Sequence, residues 1–144
     1  MMQGTIVRQS IIIVDIDGTV AHSLDREWHE FDKVMSDTPD HIVIGIVSNL
    51  VMFENFEIIF VTGRSEDCRA VTEEWLEAHC PPYRKLLMRA SKDYRADSIV
   101  KRELYEAHIK DHFHVYCVFD DRNQVVEMWR EEGLKCFQVA VGDF

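Results

Sequence analysis

The sequence predicts an α/β fold built on a doubly wound parallel sheet of five strands. Three observations carry this. Ile11-Ile12-Ile13-Val14 is a run of branched apolar residues and reads as a strand buried on both faces. Further apolar runs at 57–61, 86–88, 115–119 and 135–140 alternate with segments that can form helices. Several of these runs end abruptly in polar residues, as strands do when a ligand binds beyond their carboxyl ends.

In chain order, the first strand ends in Asp15-Ile16-Asp17-Gly18-Thr19. Asp-Gly is also a turn signal, so a polar hairpin turn is the plain alternative. The polar segment from Val20 to Asp37 carries Arg26, Trp28, His29, Phe31 and Lys33. It is too long for a simple βα loop and suits a lid or substrate platform. Thr38-Pro39 gives an N-cap and first-turn signal for a helix over Ile42 to Phe53, read as helix because a parallel sheet needs a crossover there. Few polar residues are available for its solvated face, which leaves room for a homo-oligomer.

Glu57 to Arg64 is the second strand, and Ser65 caps the next helix, whose stripe is Cys68, Val71, Trp75, Leu76 and His79. Pro81-Pro82 stops it. Leu86 to Met88 is the third strand. Asp97 caps a helix to about Asp111 with Val100, Leu104 and Ala107 inward. Val115 to Phe119 is the fourth strand, ending in Asp120-Asp121-Arg122. A helix from Asn123 closes at Gly133, and Lys135 to Ala140 is the fifth strand. Trp75 and Trp129 are expected in the core. Trp28, Phe31 and Tyr94 suit either local packing or stacking on a base.

The chain has 144 residues, enough for one domain over 1–144 with one core. Apolar content of 47% and charged content of 29% describe a globular chain. No apolar run is long enough to span a bilayer and Met1 to Gln9 has no signal-peptide core, so a cytoplasmic protein with no membrane partner is expected. Cys68, Cys80, Cys117 and Cys136 form no Cys-x-x-Cys pair and are expected to be reduced and buried. His108 and His112 have zinc-ligand spacing but no third ligand in sight. Net charge is −10, which argues against a protein that coats nucleic acid. Yet Arg84 to Arg102 holds seven basic residues and two acids, a sector that suits a phosphate-bearing substrate.

The strand-end rule gathers Asp15, Asp17, Thr62, Gly63, Arg64, Arg89, Asp120 and Asp121 at one rim, with Lys101 one turn into the following helix. Paired carboxylates repel unless a cation or proton joins them, and Mg²⁺ is the simplest remedy. Four acids, a hydroxyl and cations are an inventory for phosphoryl transfer.

Asp15-Ile-Asp17-Gly-Thr19, Val61-Thr62-Gly63-Arg64, Lys101 and Asp120-Asp121 together resemble the four motifs of the haloacid dehalogenase (HAD) superfamily. Arg26, the 61–66 run, Leu-Met-Arg at 87–89, Asp93-Tyr94-Arg95, Asp97, Phe-Asp-Asp-Arg at 119–122 and Met-Trp-Arg at 128–130 extend the likeness. They resemble the 3′-phosphatase domain of bacteriophage polynucleotide kinase/phosphatase, over about Ile11 to Phe144. The resemblance implies a HAD-like fold with a small or minimal cap at 20–37. It implies Asp15 as nucleophile and Mg²⁺ ligand, and Asp17 as general acid/base that lends Mg²⁺ its backbone carbonyl. Thr62 and Lys101 would bind the transferring phosphoryl group, with Asp120 and Asp121 holding the metal or its waters. Arg26 and Arg64 would contact substrate, and Asp97 would orient Lys101. Gly63, Arg89, Lys92 and Arg95 complete the expected substrate surface.

No Gly-x-x-x-x-Gly-Lys-[Ser/Thr] loop occurs, so 5′-phosphorylation from ATP is not expected of this chain. The leading expectation is a Mg²⁺-dependent 3′-phosphatase acting on DNA or RNA ends through an aspartyl-phosphate. The alternative is a HAD phosphatase for mononucleotides or other small phosphomonoesters. A non-catalytic binding module is disfavoured because every candidate catalytic residue is present.

Overall fold

Successive residues of a strand point to opposite faces, so an unbroken apolar run needs a core on each side. Strand β1 (Ser10–Val14) has both. Ile12 and Val14 enter one core and Ile11 and Ile13 the other. The computed structural model describes residues 7–144. After β1 come β2 (Ala21–His22), β3 (Thr38–Pro39), α1 (His41–Glu54), β4 (Glu57–Ser65), α2 (Arg69–His79) and β5 (Lys85–Arg89). Then follow α3 (Asp97–His108), β6 (His114–Asp120), α4 (Asn123–Glu131) and β7 (Cys136–Gln138).

The main sheet has the order β5-β4-β1-β6-β7, and every neighbouring pair is parallel. Val43 and Val47 of α1 and Trp75 and Leu76 of α2 close one face. Tyr105 of α3 and Val125, Val126 and Trp129 of α4 close the other. This is the doubly wound five-stranded sheet the sequence predicts. The chain leaves β1 toward β4 and leaves β6 in the opposite direction toward β7. Diverging connections open a crevice beyond the ends of β1 and β6, where α/β sheets bind ligands. The Asp15 amide donates to the Phe119 carbonyl at 3.0 Å and ties the two strand ends together.

Local details differ from the sequence reading where tertiary contacts override local signals. Thr38-Pro39 does not start α1; it is β3, paired antiparallel with β2. The N-cap is Asp40, whose carboxylate accepts from the Ile42 and Val43 amides at 3.1 Å. Ser65 caps a short 3-10 turn, Glu66–Cys68, before α2 begins. Asp97 is the first residue of α3 rather than its cap, and α3 ends at His108. Val100 and Leu104 turn inward as expected and Tyr105 joins them, while Ala107 faces solvent. The fifth strand is shorter than expected. The 20–37 insertion is small: one strand, a loop and a 3-10 turn at Phe31–Ser36. Along α1, Ile42, Met52 and Phe53 are exposed. Among the described residues no helix is long and apolar enough to cross a membrane.

Candidate active site

The Asp-x-Asp-Gly-Thr segment turns sharply at the end of β1. The amides of Thr19, Val20 and Ala21 all donate to the Ile16 carbonyl. Gly18 allows this with φ +82, and a Cβ there would sit 2.1 Å from an Asp121 oxygen. Only glycine accepts both demands. The turn aims Asp15 into the crevice, where it is 5% exposed.

Carboxylate oxygens of Asp15, Asp120 and Asp121 converge within 4.8 Å of one another. Lys101, from the second turn of α3, reaches in with 1% exposure and donates to Asp15 at 2.7 Å and Asp120 at 2.9 Å. Burial alone would drive the lysine toward its neutral form, but Asp120 and Asp15 outweigh it and keep the ammonium charged. Asp15 moves the other way. Burial first, then the Asp120 charge, raise its pKa well above the ordinary value despite Lys101. Asp121 is raised too, chiefly by burial. Thr19 donates to Asp15 at 2.9 Å, and Trp129 Nε1 donates to Asp120 at 3.3 Å.

Three carboxylates against one ammonium leave two negative charges uncompensated when all ionise. The donors are hard oxygens, and a divalent cation such as Mg²⁺ would neutralise that excess. The residues present therefore fit the metal. His108 and His112 belong to no such group; both are exposed.

Asp17 sits apart from this cluster, its side chain half exposed. Arg64 grips it with two hydrogen bonds at 2.9 and 2.7 Å. Withdrawal from water favours the neutral acid, yet the hydrogen bonds and charge of Arg64, helped by Arg26, hold its pKa below the ordinary value. Arg64 also donates to Asp37 at 2.9 Å, and Arg26 forks onto Asp37 at 2.7 and 2.8 Å. The two arginines expected to contact substrate thus spend most of their donors on Asp37 and Asp17, while still lining the cavity. Asp37 is the residue that sequence reasoning missed. Its backbone carbonyl accepts from Trp75 Nε1 at 3.0 Å, so α2 anchors it. Nothing local in Ser36-Asp37-Thr38 announces this. Thr62, three residues before the end of β4, is fully buried; its Oγ1 accepts from the Arg64 amide at 3.1 Å, which leaves its proton free to donate.

The outer wall is built on Arg89. It donates to the carbonyls of Gly63 (2.8 Å), Asp93 (3.0 Å) and Arg95 (2.6 Å), and its guanidinium also meets Asp97. The resemblance implies that Asp97 orients Lys101, but Lys101 is held by Asp15 and Asp120 instead. Asp97 lies between Arg89 and Arg122, with Arg122 at 2.8 Å. Gly63 is required for that: a Cβ there would meet the Asp97 carboxylate at 2.6 Å. Arg122, also unforeseen, stacks over the Phe144 ring at 4.5 Å. Arg95 is held by Asp93 and Glu103. Lys92 lines the cavity in a left-handed conformation with φ +61. The cavity measures about 700 Å³ and opens over Asp15, Asp17 and Lys101.

The chain that builds this crevice, at the switch point of a five-stranded parallel sheet and floored by these acids and one buried lysine, has relatives among known proteins. The model of the polynucleotide kinase PNKP phosphatase domain, a HAD-type family, matches residues 9–144. The chain belongs to this family. A relative of the PNKP phosphatase domain from Autographa californica nuclear polyhedrosis virus is 37% identical over 123 residues. That match covers 83% of this chain and 18% of the relative, which is provisionally named a bifunctional polynucleotide kinase/RNA ligase. Among solved structures, a chain of the Pnkp1/Rnl/Hen1 RNA repair complex superposes with TM-score 0.87 and 36% identity. All of this chain and 46% of that one are covered. A second structure of the Pnkp1/Rnl/Hen1 complex gives 0.90 and 35%, covering 50% of its chain. The chain thus spans half or less of the relatives it matches.

Proposed function

We propose that this PNKP-type phosphatase domain is a Mg²⁺-dependent polynucleotide 3′-phosphatase, releasing phosphate from 3′ ends of DNA or RNA through an aspartyl-phosphate. One observation carries the reading: a buried carboxylate, Asp15, shares its cavity with a charged lysine and two further buried acids. Asp15 attacks phosphorus, the Asp15 O–P bond forms and the P–O3′ bond breaks. Lys101 and the Thr62 hydroxyl hold the transferring oxygens. Asp120 and Asp121, with Asp15, would hold the Mg²⁺. When bound, the ion supplies charge neutralisation at the phosphoryl oxygens.

Asp17 then takes a proton from the water that hydrolyses the acyl phosphate. Its ion pair with Arg64 keeps it ionised, the form this second step needs. In the first step it must carry a proton to the leaving oxygen, which requires the Arg64 contact to loosen. Arg26 and Asp37 hold Arg64 in place and so set that balance.

Phosphate release is measured with 3′- and 5′-phosphorylated DNA and RNA and with nucleoside 3′-monophosphates, with and without Mg²⁺. The expected result is Mg²⁺-dependent release from 3′-phosphorylated polymers, lost in Asp15→Asn. Equal release without Mg²⁺, by Asp15→Asn, or from 5′ ends overturns the reading.

A further inference from the structure

Large aromatic side chains usually bury most of their ring. Trp28 is 72% exposed and Tyr94 is 83% exposed. They come from loops far apart in the chain, one in the insertion after β2 and one between β5 and α3. Both nevertheless line the same cavity that holds the Asp15 carboxylate. Neither joins a core cluster. Trp28 meets His29 in a T-shaped contact with ring centroids 5.3 Å apart and still keeps most of its surface exposed. Phe31, the third aromatic of this wall, behaves differently and packs against the core.

Beside Tyr94 lies Lys92, exposed and without a carboxylate partner among the described residues. The neighbouring Arg95 and Arg89 are tied to acids. The cavity is much larger than a phosphoryl group needs. An open aromatic face accepts any base, and a free ammonium accepts a backbone phosphate.

We propose that Trp28 and Tyr94 form a stacking site for the nucleobases adjoining the reacting phosphate, with Lys92 taking the next backbone phosphate. This rests on the 3′-phosphatase reading and deepens it. The site selects a base-bearing strand end without reading sequence, because stacking is shared by all bases.

Two measurements test it. The first is kcat/KM for a short 3′-phosphorylated oligonucleotide, against the same strand with abasic sugars at its last two positions. Trp28→Ala and Tyr94→Ala should each lose about 5- to 150-fold on the base-bearing strand. They should match the intact protein on the abasic one, and Trp28→Phe and Tyr94→Phe should restore the loss. Lys92→Ala should lose efficiency on both strands, more at low salt than at high salt.

The second measurement is tryptophan fluorescence of Asp15→Asn on adding each strand. The chain has three tryptophans, and Trp75 and Trp129 are fully buried, so quenching reports Trp28. Quenching by the base-bearing strand alone supports stacking. Quenching without any phosphate release by the intact protein would end the phosphatase reading and leave stacking standing. Phosphate release with no quenching, or with equal losses on both strands, would overturn stacking alone.

Discussion

Lys101 shows most sharply how single residues set this site. A buried ammonium is costly unless paired, and this one is paired twice, to Asp15 and Asp120. Removing it leaves two buried acids facing each other without a counter-charge between them. Lys101→Met should lose phosphate release and about 3–5 kcal/mol of stability, read from urea unfolding. The pH dependence has a definite sign. The Asp15 pKa is raised in the folded state, so its neutral form favours folding below the ordinary carboxylate value, and that gain fades as pH rises through the raised value. Lys101 normally opposes this rise. In Lys101→Met the raised value climbs further, so the variant should lag most at neutral pH and close on the intact protein with acidification through that window. A gap that does not change with pH would mean that Asp15 does not depend on Lys101. Asp17 has the opposite sign: its lowered pKa gives stability above the ordinary value, lost as pH falls through the depressed one.

Most residues at the rim stand at or near the end of an element, which is why the sequence could gather them in one place. The positions of Asp15, Thr62 and Asp120 followed from apolar runs giving way to polar residues, although β4 itself runs on to Ser65. Asp37, Arg122 and the true partners of Asp97 did not, because their meaning comes from arginines and carboxylates distant in the chain. The start of α1 shows the same limit at close range. Thr38-Pro39 carries a sound local signal for a helix start, yet β2 captures both residues, and the chain uses Asp40 one residue later. Asp40 also receives His22 at 2.9 Å, joining the insertion to the helix. Asp40→Ala should therefore cost about 0.5–2 kcal/mol in thermal or urea unfolding, the usual worth of an N-cap. Phosphate release under folded conditions should persist, since Asp40 is not among the residues lining the cavity. Loss of activity without loss of stability would show that the β2–β3 pairing positions the insertion over the site.

Across the whole molecule, the acids of the crevice come from both sides of the sheet's switch point, Asp15 from just past β1, Asp120 from the last position of β6 and Asp121 from just past it. When all three ionise, the charge that Lys101 leaves uncompensated acts to push apart the two central strand ends that the Asp15–Phe119 hydrogen bond holds together. A divalent ion shared by the three would reverse that force and count as folding free energy, because the unfolded chain does not assemble the trio. If it binds there, Mg²⁺ at about a hundred times its dissociation constant would add about 2.7 kcal/mol to stability. For a domain near this size each kcal/mol is worth roughly 2–8 °C in Tm, so saturation should raise Tm by several degrees or more. Asp121→Asn gives the discriminating contrast. Without Mg²⁺ it removes one repelling charge and should melt no lower than the intact protein. With Mg²⁺ it should gain much less. A Mg²⁺ shift of equal size in both proteins would place the ion away from Asp121, and the balance of charges in the crevice would then need another partner.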